Sequence, residues 1–144
     1  MITNVSIVSV FVTDIDASKR FYIDVFGFAE KDDITMGNGY RWCTVVHPTQ
    51  PELQVSLAVP GPPFPDDLVQ AMKRAQGQGG LNGLGLTVDD CEKTYTELQA
   101  KGVEFLQPPS ARPYGTEAVC RDNSGNWVVL VEHSDRVVTS ADFD

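Results

Sequence analysis

The sequence predicts an α+β fold in which one strand–helix–strand–strand–strand unit is written twice. Three observations predict it. A strand ending in Val12-Thr13-Asp14, with a helix stopping at Gly27-Phe28, returns as Val88-Asp89-Asp90 and Gly102-Val103, an offset of about 76 residues. The distance from aspartate to glycine is 13 residues in the first half and 12 in the second. Between the halves, Pro60-Gly61-Pro62-Pro63 and Gly77-Gln78-Gly79-Gly80 frame a segment that breaks the pattern. A period this long, present twice, denotes a duplicated module rather than a solenoid.

Each element has a local reason. Over residues 5–12 apolar side chains alternate, with Val8, Val10 and Val12 on one strand face and Ile7, Ser9 and Phe11 on the other. Asp14 or Asp16 then supplies an N-cap. The helix that follows runs to about Phe26, its apolar Ile15, Phe21, Tyr22, Val25 and Phe26 at helical spacing and Gly27 as its stop. Strands are predicted over 28–36, 40–47 and 53–59, joined by Gly37-Asn38-Gly39 and by Pro48-Thr49-Gln50-Pro51. A short helix capped by Asp66 is predicted over 66–75. In the second half, Leu84, Leu86 and Val88 share one face of a strand over 81–88, and a helix runs from Asp89-Asp90 to Gly102. Strands follow over 103–107, 116–121 and 127–133, with Pro108-Pro109 forcing a turn and Asp122-Asn123-Ser124-Gly125-Asn126 closing a hairpin. The organisation is a first module over 1–59, a linker over 60–80, a second module over 81–134 and a tail over 135–144.

Composition narrows the function. The formal net charge is −9, which repels phosphate backbones and argues against nucleic acid as a partner. No apolar run reaches the roughly 18 residues of a membrane span. No basic segment followed by an apolar core opens the chain, so a cytoplasmic location is expected. The three cysteines, Cys43, Cys91 and Cys120, are odd in number and lack a CxxC spacing, so they read as reduced, semi-buried side chains. Gly77-Gln78-Gly79-Gly80 follows a helix instead of preceding one and therefore lacks the dipole that holds a phosphate.

The strand with its Val-x-Asp end, the helix DASKRFYIDVFGF (16–28), the segment DDCEKTYTELQAKGVEFLQPP (89–109) and the hairpin RDNSGNWVVLVE (121–132) resemble the vicinal oxygen chelate superfamily. That family includes glyoxalase I, extradiol dioxygenases and the fosfomycin- and bleomycin-resistance proteins. The resemblance implies two βαβββ modules whose sheets form a cupped, mixed surface around a groove, with helices outside. It implies that Ile7/Ser9/Phe11 and Gly83/Gly85/Thr87 face that groove.

Enzymes of the family usually hold a divalent metal there through His, Gln or Glu. The family's spacing carries those positions to Ile7, Gly83, a position near Ser56, and Val129. Three of these four side chains have no lone pair to donate, whereas a catalytic ion needs about three protein ligands. No metal, no cofactor and no catalytic residue is therefore expected. The two histidines, His47 and His133, read as edge or loop residues, with His133 on the strand face of Val129 as a residual acid–base candidate.

What remains is flat aromatic surface suited to stacking. The candidate ligand-binding residues are Phe11, Trp42, Ser56, Tyr114 and Trp127. Arg41, Arg112 and Glu117 are possible polar contacts near the bend at 112–115. The reading is a metal-free protein of the bleomycin-resistance type, a homodimer, that binds a small aromatic or cationic compound; it leans away from catalysis without deciding the point, because the family's metal positions are not retained. A divergent metal-dependent lyase, isomerase or dioxygenase is the first alternative, and a non-catalytic interaction module the second.

Overall fold

A computed structural model describes all 144 residues. The chain divides into two compact units: Met1–Asn82 with Asn123–Gly125, and Gly83–Asp122 with Asn126–Asp144.

The first unit contains β1 (Ile7–Phe11), α1 (Ile15–Asp24), β2 (Ala29–Thr35), β3 (Arg41–His47), β4 (Gln50–Ala58) and α2 (Asp66–Gln76). Its four strands form one mixed sheet in the order β1-β4-β3-β2. β1 pairs parallel to β4, and the other neighbours pair antiparallel. The second unit repeats this with β5 (Gly83–Thr87), α3 (Cys91–Ala100), β6 (Phe105–Arg112), β7 (Gly115–Arg121) and β8 (Trp127–His133). Its sheet order, β5-β8-β7-β6, is the same order two positions for position. A single-turn helix over Ser140–Phe143 ends the chain.

The duplicated signals act in the same way in both units. Asp14 accepts from the Ala17 amide at 2.9 Å, and Asp90 from the Lys93 amide at 3.0 Å. Each cap satisfies an amide that lacks an intrahelical partner. Past the helix ends, Gly27 and Gly102 take φ of +77° and +86°, a conformation that turns the chain back towards the sheet and that other residues enter at a cost.

One face of each sheet is buried. In the first unit Val10, Val12, Cys43, Val45, Val55 and Leu57 are nearly inaccessible, and Tyr22 of α1 is fully buried. Tyr22 meets Phe26 and Phe28 edge-on at 5.3 and 5.7 Å. In the second unit Ala118, Cys120, Val128 and Leu130 are buried with Cys91 and Leu98 of α3. These alternate residues share a strand face, so the apolar periodicity read from the sequence is the core.

Several boundaries differ from expectation. α1 ends at Asp24, two residues early, with Val25 as its C-cap. Asp66 does not cap α2: Pro65 holds the cap position, and Asp66 and Asp67 sit in the first turn, where the helix dipole favours them. Pro108-Pro109 does not end a strand. β6 runs through both prolines to Arg112, with register irregularities on either side of Gln107, and the turn falls at Pro113-Tyr114. β6 is an edge strand, so a missing proline amide on its outer side needs no partner.

Two contacts of the first unit had no sequence signal. The outer edge of β1 is met by Asn82, whose side-chain oxygen accepts from the Phe11 amide at 2.8 Å while its amide reaches the Ser9 carbonyl at 3.4 Å. Ser124 accepts from the Thr13 amide at 3.0 Å and lies 3.3 Å from the Ser18 hydroxyl.

Candidate functional site

The face of each sheet opposite its helix is open. In the first unit the register settles which residues it carries. Ile7, Ser9 and Phe11 lie beside Gln54, Ser56 and Ala58, Ser56 pairs with Thr44, and Trp42 precedes Thr44 by two residues. Arg41 is one residue out of phase and sits on the helix side. There it pairs with Asp16 of α1 at 2.8 Å and with Asp33 at 2.9 Å.

A bulge in β2 decides the polar character of this face. Ala29 and Glu30 pair with Val46 and Val45, but the next pair is Asp32 with Thr44, so Lys31 is the extra residue. An uninterrupted ladder would set Lys31 opposite Thr44 and turn Asp32 to the helix side. The bulge exchanges them. Asp32 accepts from the Trp42 indole N–H at 3.3 Å. Thr44 accepts from the Asp32 amide at 3.2 Å and donates to Gln54 Oε1 at 2.9 Å. Trp42 and Asp32 are half-buried, and Ile34, paired with Trp42, is exposed. Phe11 is half-buried and meets Phe64 edge-on at 5.9 Å. Ser56 has the predicted facing but is only 4% exposed, so it offers little surface.

On the second sheet Trp127 dominates. It is 50% exposed, and its indole lies over Gly83, its pairing partner: a Cβ at residue 83 would stand 1.8 Å from Cη2 of the ring. Only glycine admits the ring in this position. Tyr114 donates to Glu117 Oε1 at 2.7 Å. Arg112 holds the other carboxylate oxygen at 3.2 Å and also donates to Gln107 at 3.0 Å. Burial alone would raise the Glu117 carboxyl, but hydrogen bonds from Tyr114 and Arg112 outweigh it and hold the group below its ordinary value. The bond to Glu117 in turn raises the Tyr114 phenol. Tyr114 also faces Phe143 of the tail in a stacked arrangement at 6.4 Å. Thr87 and His133 lie 3.2 Å apart on the same face. His47 instead contacts Thr49 in the β3–β4 turn.

On the far side of the first sheet, the outer surface of α1 carries a shallow charged depression formed by Asp16, Lys19, Arg20, Ile23 and Asp24. Lys19 bridges Asp33 at 2.7 Å and also pairs with Glu30. These charges fasten α1 to its own sheet.

Chains that contain two such units are known. The family model for the Glyoxalase/Bleomycin resistance protein/Dioxygenase superfamily matches residues 4–130. The chain belongs to that superfamily. The uncharacterized protein YurT of Bacillus subtilis (strain 168) is 33% identical over 129 residues, spanning 88% of this chain and 96% of YurT. The crystal structure of UcmS2 is similar with a TM-score of 0.82 at 37% identity, covering 92% of this chain and 99% of that one. TnmS3, described as an antibiotic binding protein from Streptomyces sp. CB03234, is similar with a TM-score of 0.73 at 29% identity, covering 92% and 98%.

By the spacing that the family resemblance implies, the metal-ligand positions of superfamily enzymes would fall here on Ile7, near Ser56, on Gly83 and on Val129. The register sets all four on open faces. Isoleucine, glycine and valine side chains donate nothing to a cation, and the ring of Trp127 fills the space above Gly83. No group of three or more His, Cys, Asp or Glu side chains is placed so that it could hold a metal ion. The donor set does not fit a divalent ion of the family type. No helix is long and apolar enough to cross a membrane.

Proposed function

We propose that this superfamily member is a metal-free binding protein for a small planar aromatic or cationic compound, of the bleomycin-resistance type. The observation that carries the reading is the state of the open faces. Positions that elsewhere hold metal ligands carry Ile7, Gly83 and Val129, while half-exposed Trp42 and Trp127 stand on the same faces. An indole with one side supported by backbone and the other open to solvent is a stacking platform for a flat ring. Likeness to an antibiotic binding protein over nearly the whole chain supports the same class of ligand. Phe11 and Trp42 are the proposed contacts on the first sheet, with Ser56 contributing the small surface it leaves uncovered, and Tyr114 and Trp127 on the second. The net charge of −9 favours cations by long-range attraction.

The two tryptophans are the only ones in the chain, so the test has a built-in reporter. Planar cationic antibiotics are titrated while tryptophan fluorescence and the melting temperature are followed. Binding quenches the fluorescence, and a ligand at 100 times its Kd stabilises the fold by about 2.7 kcal/mol. Trp127→Phe and Trp42→Phe assign the quenching to one sheet or the other. No quenching and no stabilisation at concentrations far above micromolar would overturn the reading.

A further inference from the structure

We infer that the first sheet carries a subsite for the positively charged group of a planar ligand, built from the Asp32 carboxylate and the Trp42 ring. The inference rests on the binding function proposed above and names the chemistry of one end of the ligand. Asp32 stands on the open face, while Asp16, Glu30 and Asp33 lie on the helix side of the same sheet. Asp16 is engaged by Arg41, Glu30 by Lys19, and Asp33 by both. Asp32 alone among them has no cationic partner. One of its oxygens, Oδ2, accepts from the Trp42 N–H at 3.3 Å, and Oδ1 is left free. On the second sheet Glu117 offers no comparable group, because Tyr114 and Arg112 occupy both of its oxygens.

The bulge is the second, independent observation. It is the reason an acid, and not Lys31, stands beside Trp42 on the open face. Bulges of this kind commonly re-aim one side chain beside a functional site. The carboxylate and the ring attract the same partner. A cation over an indole is favoured by the ring's quadrupole, and an adjacent carboxylate adds a charge-assisted hydrogen bond to an N–H donor. Ile34, exposed and paired with Trp42, gives the apolar part of the ligand a surface to cover. The class of ligand is therefore a flat aromatic system bearing a protonated amine or a ring N–H⁺. A neutral or anionic flat system of the same size is the poorer ligand.

The test uses the full chain and two flat three-ring probes of nearly the same size, proflavine, which is a cation at neutral pH, and acridone, which is neutral. Calorimetric titration of each is repeated with Asp32→Asn, which preserves the acceptor for Trp42, and with Asp67→Asn, which removes the same charge from exposed α2. Circular dichroism confirms that each variant is folded. Proflavine is expected to bind about tenfold or more tighter than acridone, with Asp32→Asn abolishing that preference and leaving acridone unchanged. Asp67→Asn is expected to leave the preference in place. If both probes bind and Asp32→Asn keeps the preference, the subsite is overturned while the binding function stands. If the two variants lower it equally, net charge is the cause and the subsite is again overturned. Failure of both probes to bind overturns the subsite and removes support from the binding function as well.

Discussion

Asp33 shows how far a single residue can be fixed by its neighbours. Arg41 and Lys19 hydrogen-bond its carboxylate and hold it well below the ordinary carboxylate range despite some desolvation. A depressed folded-state value contributes stability that is present above the unfolded value, 3.8, and is lost as pH falls through the folded one. Asp33→Asn is therefore expected to destabilise the protein at neutral pH by about 1 kcal/mol or less, the scale of a partly exposed ion pair. In urea titrations the difference from the parent should shrink as the pH is taken below the carboxylate range; a difference that grows there would show the sign to be wrong. At this scale the sequence was partly legible. Trp42 and Trp127 were identifiable as aromatics at strand positions, and Trp127 could be assigned to the open face by counting from Val129. Asp32 could not, because an alternation count assumes an unbroken ladder and the bulge at Lys31 shifts every later residue of β2 by one face. The facing of Arg41 was open for a related reason: the phase of β3 cannot be read until its helix-side partners, Asp16 and Asp33, are known.

Among the elements, helices and central strands were the most legible, and edges the least. Caps at Asp14 and Asp90 and glycines past the helix ends are local signals, and they act locally. β8 lies between β5 and β7 and alternates cleanly, with Val128 and Leu130 buried and Trp127 exposed. Leu130 is 1% exposed, so Leu130→Ala should cost about 2–5 kcal/mol by loss of buried surface and creation of a cavity. The urea midpoint reads this directly, and a loss under about 1 kcal/mol would mean that the sheet does not depend on that face. β6 was misjudged because two prolines ordinarily stop a strand, but at a sheet edge one of the two missing amides faces the open side and the other falls in the register irregularity between Gln107 and Ser110. The attachment of Asn82 to the outer edge of β1 was invisible, since it joins residues over seventy positions apart through a single side chain.

For the molecule as a whole, the duplication was the firmest sequence reading, and the two sheets repeat it strand for strand. The homodimer expected from the family resemblance is tested by light scattering coupled to size exclusion, where it predicts a mass of twice the 15.8 kDa chain. A mass of one chain at micromolar concentration would set that expectation aside. Burial carries a chemical consequence for the whole chain as well, since it raises all three thiols, Cys120 to about 12, and leaves them protonated at neutral pH. The placement of Trp127 over Gly83 has a further consequence, and it concerns descent. A duplicated gene can lose a coordinating residue in one step, but here the way back has a second requirement. A side chain restored at position 83 meets the indole at 1.8 Å where the ring now lies, so it fits only if Trp127 swings aside or is itself replaced, and either change discards the platform. Positions 83 and 127 are thereby coupled, and a change at the first alters what the second can do.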